Sequence, residues 1–454
     1  IVETSCGLWS LVSRHMARVY RDRGDQRSKC DLLHALPPRG HTRAEGLRYV
    51  NSCKTIYKRD ENQKQEITVN EDQLMRARNS ILGALVADSA TMGFHWLYSQ
   101  RRIAELAPEQ PEFKTPNEDD YTDVGYFAHG NKQVGEFSHY GEQSSIMLES
   151  LVANGNRYEK HHYQESFRDH FGYGGAFSGY IDKPTRLTLD TIYRTESDAL
   201  ARTNEISFAG EDREKQVLLT KVLSASKRYQ GQELTTHVAK LAETASNPKD
   251  AANYISALVQ ALAGTSDYPG ANDEQLPAIS KLPALVACHL EDNNLMALSE
   301  SATRVTNNAE RAIDYGRVAT TLLYHVSKGQ TIEASIAAAV NAGSEKTMEF
   351  LNGVLAENDD LLEVTKKYGL HCDLGSGTAS MLFNLKHATS YSGTVRANIY
   401  AGGDNCGRAI VLGAVAGATF GIGGEHGIPE SWIEKMHDHS RIVQLIEKLL
   451  PINH

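Results

Sequence analysis

Tyr400-Ala-Gly-Gly-Asp-Asn-Cys-Gly-Arg-Ala409, followed by an apolar run from Ile410 to Ile422, is the stretch that decides the fold. Gly402 and Gly403 let backbone approach a ligand closely, and Asp404 supplies a carboxylate. Ala, Val, Leu and Gly then recur at helical spacing, which predicts a loop feeding a packed helix over 405–420. Such a helix start gathers anions or holds a metal ligand. The same aspartate also serves as a plain N-cap, and the decapeptide alone leaves both readings open.

Working outward, Leu74, Ala77, Ile81, Leu82, Leu85 and Val86 fall on one helical face, with Asn70 available as N-cap. The helix runs into Ala87 and Asp88. A carboxylate at the end of a helix that is apolar nearly all round must find a partner or a metal. Residues 108–140, rich in Pro, Asp, Gly and aromatics, predict a long surface loop. A helix over about 143–153 follows, with Glu142 at its first turn. Residues 172–179 (GYGGAFSG) and Tyr180–Arg186 predict a second loop able to lie against a ligand, with Arg186 as a partner for phosphate.

The remainder predicts helices over 215–228, 249–264, 278–290, 296–304, 307–326 and 331–355. A last group covers 360–368, 377–388, 392–400, 405–420 and 429–449, with Gly, Pro or Asn at the breaks. Strand patterns are nearly absent and no fixed-period repeat occurs. The expected architecture is therefore all-α: one compact multi-helix domain over 71–454, with thirteen or more helices. Residues 1–70, Arg-rich and weakly periodic, are expected to be a disordered extension outside that domain.

Charge divides along the same line. Residues 1–60 carry 12 Lys/Arg against 6 Asp/Glu, and the other 394 carry 35 against 51. An acidic body disfavours nucleic acid as a partner and suits a small ligand. No run of eighteen uncharged apolar residues is present, so no membrane span is expected. Six cysteines without CxxC spacing fit a reducing, cytoplasmic setting and no zinc site.

Taken together, ILGALVADSATMGFHWLY at 81–98 and YAGGDNCGRAIVLGAVAGATFGIG at 400–423, with Ile428, Pro429 and Trp432 following, resemble the ADP-ribosylglycohydrolase family. Within it the chain looks most like the branch of the J1-crystallins and selenoprotein J. Family members carry G-D-A-x-G, T-D-D-T and G-G-D-T-D-T motifs in this order. Asp88 matches the aspartate of the first motif and Asp404 the first aspartate of the third. The departures are Tyr140-Gly-Glu-Gln143 in place of T-D-D-T, Cys406 at the second aspartate of the last motif, and Gly407 at its last hydroxyl.

The resemblance implies a fold holding two magnesium ions on oxygen ligands, and ADP-ribose or an ADP-ribosylated substrate as partner. Magnesium demands near-octahedral oxygen coordination, for which a thiolate is a poor substitute. The expectation is one weak magnesium site on Asp404 and Glu142. Glu142 would act as acid or base on an ADP-ribosyl glycosidic bond, with Asp88, Gly402, Gly403 and Arg186 on the substrate. Cys406, in a first helical turn and two residues before Arg408, is expected to have a depressed pKa and nucleophilic or redox character. A non-catalytic, crystallin-like structural role is the rival reading. His95, His139, His371 and His426 lie near the motifs and are taken as structural residues.

Overall fold

Asn70 caps the first described helix: its side chain accepts from the Asp72 amide at 3.1 Å. In the computed structural model, residues 70–452 are described apart from 227–228, 230 and 263–267. The expected N-terminal extension lies outside the described residues. The helices are α1 Glu71–Thr91, α2 Gln100–Leu106, α3 His139–Ala153, α4 Lys160–Phe171, α5 Lys183–Asn204, α6 Asp212–Ser226 and α7 Gly231–Glu243. Next come α8 Pro248–Leu262, α9 Pro277–Ser280, α10 Leu282–Cys288, α11 Leu295–Arg304, α12 Glu310–Ser327 and α13 Ile332–Ala342. The rest are α14 Glu345–Leu355, α15 Leu361–Tyr368, α16 Leu374–Lys386, α17 Tyr391–Ala401, α18 Asn405–Phe420, α19 Glu430–Lys435 and α20 His439–Leu449. Among the described residues there are isolated bridges but no named strand, and the fold is all-α as expected.

The centre is the pair α1 and α18, in closer contact than any other two helices. From Asn79 to Thr91 every residue of α1 is buried, as is every residue of α18 from Asn405 to Ala418. Two helices buried all round approach this closely only through small residues. A Cβ on Gly83 would stand 2.3 Å from the Gly413 carbonyl oxygen, and one on Gly417 2.3 Å from that of Asn79. Tyr391 of α17 pins the crossing by donating its hydroxyl to the Gly83 carbonyl at 2.6 Å. The main core extends from this pair through α3, α10, α12 and α16. A smaller apolar cluster joins the end of α5 to α6, α7 and α8.

Several boundaries differ from the sequence expectation. The helix expected over 331–355 breaks at Gly343, because Ser344 gives its amide and hydroxyl to Asp314, each at 2.7 Å, and starts α14 as N-cap. That over 429–449 breaks at Met436–Asp438, where Asp438 takes φ 55° and the His437 amide donates to Gly135. Helices α2, α4, α5 and α7 were not expected. The expected loop at 180–186 is half helix: Asp182 caps α5, and Arg186 is an exposed residue of its first turn. No helix among the described residues is long and apolar enough to cross a membrane.

Candidate functional site

Three helix termini meet at the site: the end of α1, the start of α3 and the start of α18. Asp88 leaves α1 buried and takes two donors from Ser138, the amide at 2.8 Å and the hydroxyl at 2.5 Å. Ser138 also caps α3 by accepting from the Tyr140 amide. Gly141 is glycine because a Cβ there would stand 2.1 Å from Asp88 Oδ2. Asp88 therefore staples α1 to α3. Burial raises its pKa to about 7 against the pull of the Ser138 hydrogen bonds.

Asp404, also fully buried, caps α18 by accepting from the Gly407 amide at 3.1 Å. Its Oδ1 also accepts from His95 Nε2 at 2.9 Å, and its Oδ2 from the Tyr140 hydroxyl at 2.6 Å. Burial pushes its pKa up, but the bonds and charge of His95 and the Tyr140 hydroxyl hold it below the ordinary carboxylate value. It is an ionised carboxylate whose two oxygens are both committed to protein donors.

Behind His95 stand two more buried histidines. His95 Nδ1 lies 2.7 Å from His129 Nε2, and one ring nitrogen from each of His95, His129 and His139 falls within 4.8 Å of the others. Burial drives the pKa of all three down, that of His95 less far because Asp404 opposes it. All three rings are neutral near pH 7. An aromatic rim covers them: Trp96 stacks on His95 at 4.1 Å, while Tyr180 contacts both Trp96 and His139. Tyr126, 54% exposed, completes the rim.

A family model described as ADP-ribosylglycohydrolase matches residues 70–453. The chain belongs to the ADP-ribosylglycohydrolase family. Crystallin J1A of Tripedalia cystophora is 24% identical over 383 residues, covering 82% of this chain and 96% of that protein. Crystallin J1B of the same organism is 22% identical over 367 residues, covering 79% and 91%. A solved structure, an ADP-ribosylglycohydrolase-related protein complex, aligns with a TM-score of 0.46 at 15% identity, covering 84% of this chain and 99% of its own.

Against the family's magnesium motifs, the residues present do not fit. Glu142, the expected second metal ligand, is engaged elsewhere: one oxygen meets Lys132 Nζ at 3.1 Å and the other His170 Nε2 at 3.0 Å. Burial raises its pKa, but His170 and Lys132 outweigh burial and hold it below the ordinary value. A general acid needs the opposite shift. The groups that do meet Asp404 are a histidine and a phenol, which are not the hard oxygen set magnesium demands.

Cys406 also departs from expectation. It is fully buried, and its pKa is well above the ordinary value, through burial and then the charges of Asp88 and Asp404. Arg408 does not compensate, because its guanidinium is turned to the Asn398 side chain at 2.9 Å and the Gly402 carbonyl at 2.5 Å. Gly402 and Gly403 have φ of 73° and 66°, but their amides donate to Ile399 and Leu97. A Cβ on Gly403 would stand 2.2 Å from the Leu370 carbonyl oxygen, so this glycine serves chain packing and not a ligand. Asp88 is likewise closed off by Ser138. Of the expected substrate residues, Arg186 alone is solvent-facing, close enough to Tyr180 for its charge to act on that phenol. Tyr140, His95, His129 and His139 make up the interior instead. From sequence alone His95 and His139 read as structural residues, and His129, isolated in a loop-like segment, carries no signal.

Proposed function

We propose that this chain is a non-hydrolytic member of its family, crystallin-like in having kept the fold and a ligand cleft while losing the magnesium-dependent step. The observation that carries the reading is the commitment of both Asp404 oxygens to His95, Tyr140 and the Gly407 amide. To bind magnesium, Asp404 would have to give up two buried hydrogen bonds and leave a phenol and an imidazole unmet. The two residues at the lost carboxylate positions do not replace them, since Cys406 is a buried thiol and Glu142 is paired elsewhere.

An ADP-ribose-type ligand would be held at the aromatic rim. Tyr126 and Tyr180, set against the buried Trp96, present faces on which a nucleobase stacks, and Arg186 supplies the cation that a diphosphate needs. Calorimetric titration with ADP-ribose, with and without magnesium, combined with an assay for ADP-ribose release from a modified protein, tests the proposal. Binding that ignores magnesium and is weakened in Arg186→Ala, with no release, is the expected result. Magnesium-stimulated release would overturn it.

A further inference from the structure

Hydrogen bonding leaves part of the histidine cluster unexplained. Neither ring nitrogen of His139 has a hydrogen-bond partner, and the nearest carboxylate oxygen, Asp182 Oδ2, is 3.8 Å from its Nε2. His129 Nδ1 is equally unmet. Both residues are at least nine-tenths buried, with 1% and 2% exposure. A buried ring nitrogen without a partner forfeits its hydration, and a purely structural histidine is normally placed to avoid that. Two such rings, with His95 beside them and one nitrogen of each of the three within 4.8 Å of the others, point to a missing central atom.

We propose that His95, His129 and His139 form a site for one zinc(II) ion, or a first-row dication of similar softness. His95 is already arranged as a ligand. Donation from Nε2 to Asp404 fixes its tautomer and leaves the lone pair on Nδ1, the carboxylate–histidine pairing that backs metal ligands elsewhere. Zinc–nitrogen bonds of about 2.0–2.1 Å in a tetrahedron place the nitrogens about 3.4 Å apart. The observed spacings, from 2.7 Å up to no more than 4.8 Å, bracket that value, so small ring rotations suffice. Three protein ligands would leave the fourth position open for water. Imidazole nitrogen selects zinc over magnesium, so the ion expected here is not the one the family motifs imply.

The full chain, stripped with a chelator and desalted, would be titrated with zinc(II) and its bound metal counted by mass spectrometry. One zinc per chain is expected in the wild type and in H426Q, a surface control. H129Q and H139Q should each bind at least tenfold more weakly. Zinc binding unchanged in both cluster variants, or no binding at micromolar free zinc, would overturn the site. If a cluster variant fails to fold, cobalt(II) added to the wild type decides. Intense visible bands of four-coordinate cobalt support the site, and the weak spectrum of octahedral cobalt refutes it.

Discussion

Gly413→Ala and Gly353→Ala are the same chemical change in two helix interiors, and they should act in opposite directions. A methyl on Gly413 would stand 2.4 Å from the Ala87 Cβ and 2.4 Å from the Gly83 carbonyl oxygen. Neither neighbour is able to swing aside, because one is backbone and the other is attached directly to it. Relief requires α1 and α18 to separate by about 1 Å, an overpacking cost of about 1–3 kcal/mol, and the rigidity of both neighbours favours the upper end. Alanine recovers about 0.5–1 kcal/mol of helix propensity, leaving a net loss of about 2 kcal/mol. Unfolding entropy of about 2 cal/mol/K per residue converts that to a fall of about 2–3 °C in Tm for a domain of this length. Gly353, exposed in α14, has nothing within 4 Å of its would-be Cβ. There only the propensity gain remains, and Tm should rise by about 1 °C. Differential scanning calorimetry of the two variants against the wild type reads both signs. Equal shifts, or a Gly413→Ala protein as stable as the wild type, would refute the close helix crossing.

Three more expectations follow from the site. Asp88 ionises near 3.8 in the unfolded chain but holds its proton to about 7 when folded. Its contribution is therefore complete below pH 3.8 and is lost as pH rises through 7, at up to about 1.4 kcal/mol per pH unit. Asp88→Asn should flatten the fall in urea stability between pH 5 and 7, and an unchanged slope would exclude this assignment. In folded protein, iodoacetamide should label the half-buried Cys288 and Cys372 before the fully buried Cys406, as peptide mass spectrometry would show; preferential modification of Cys406 would contradict its burial. Cys406→Asp places a third carboxylate beside Asp88 and Asp404, and should cost about 3 kcal/mol or more while creating no magnesium affinity in a calorimetric titration.

How far the sequence could be read depended on the distance over which the deciding contact acts. Helices α1 and α18 were legible because their small and apolar residues repeat within a single window, and Asn70 and Asp404 announce their starts locally. Helix α5 was not, because its first turn follows the loop-like Tyr180-Ile-Asp-Lys-Pro, and its N-cap is recognisable only once Asp182 is seen holding Thr185. The breaks at Ser344 and Asp438 depend on Asp314 and Gly135, far away in sequence. The same limit governed the site. Asp88 and Asp404 stand out as carboxylates in apolar runs, but the partners that disarm Asp404 are Tyr140, 264 residues away, and His95, 309 residues away. A lone histidine beside an apolar helix carries no local sign that two others will meet it. Cys406 misled for a related reason: Arg408 stands two residues on, but its pull on the thiol is outweighed by burial and by Asp88 and Asp404, which local sequence does not show.

The crossing of α1 with the C-terminal helices also bears on how the protein is made. The hydroxyl of Tyr391 that closes on Gly83 is 308 residues downstream of it, and Asp404 is 309 residues after His95. At about 5–20 residues per second of translation, α1 leaves the ribosome about 15 to 60 s before the helix it must pack against exists. During that interval α1 can pack on α3, α10 and α12, but the small-residue face that meets α18 has no partner, and any message truncated before α18 yields a product with that face uncovered.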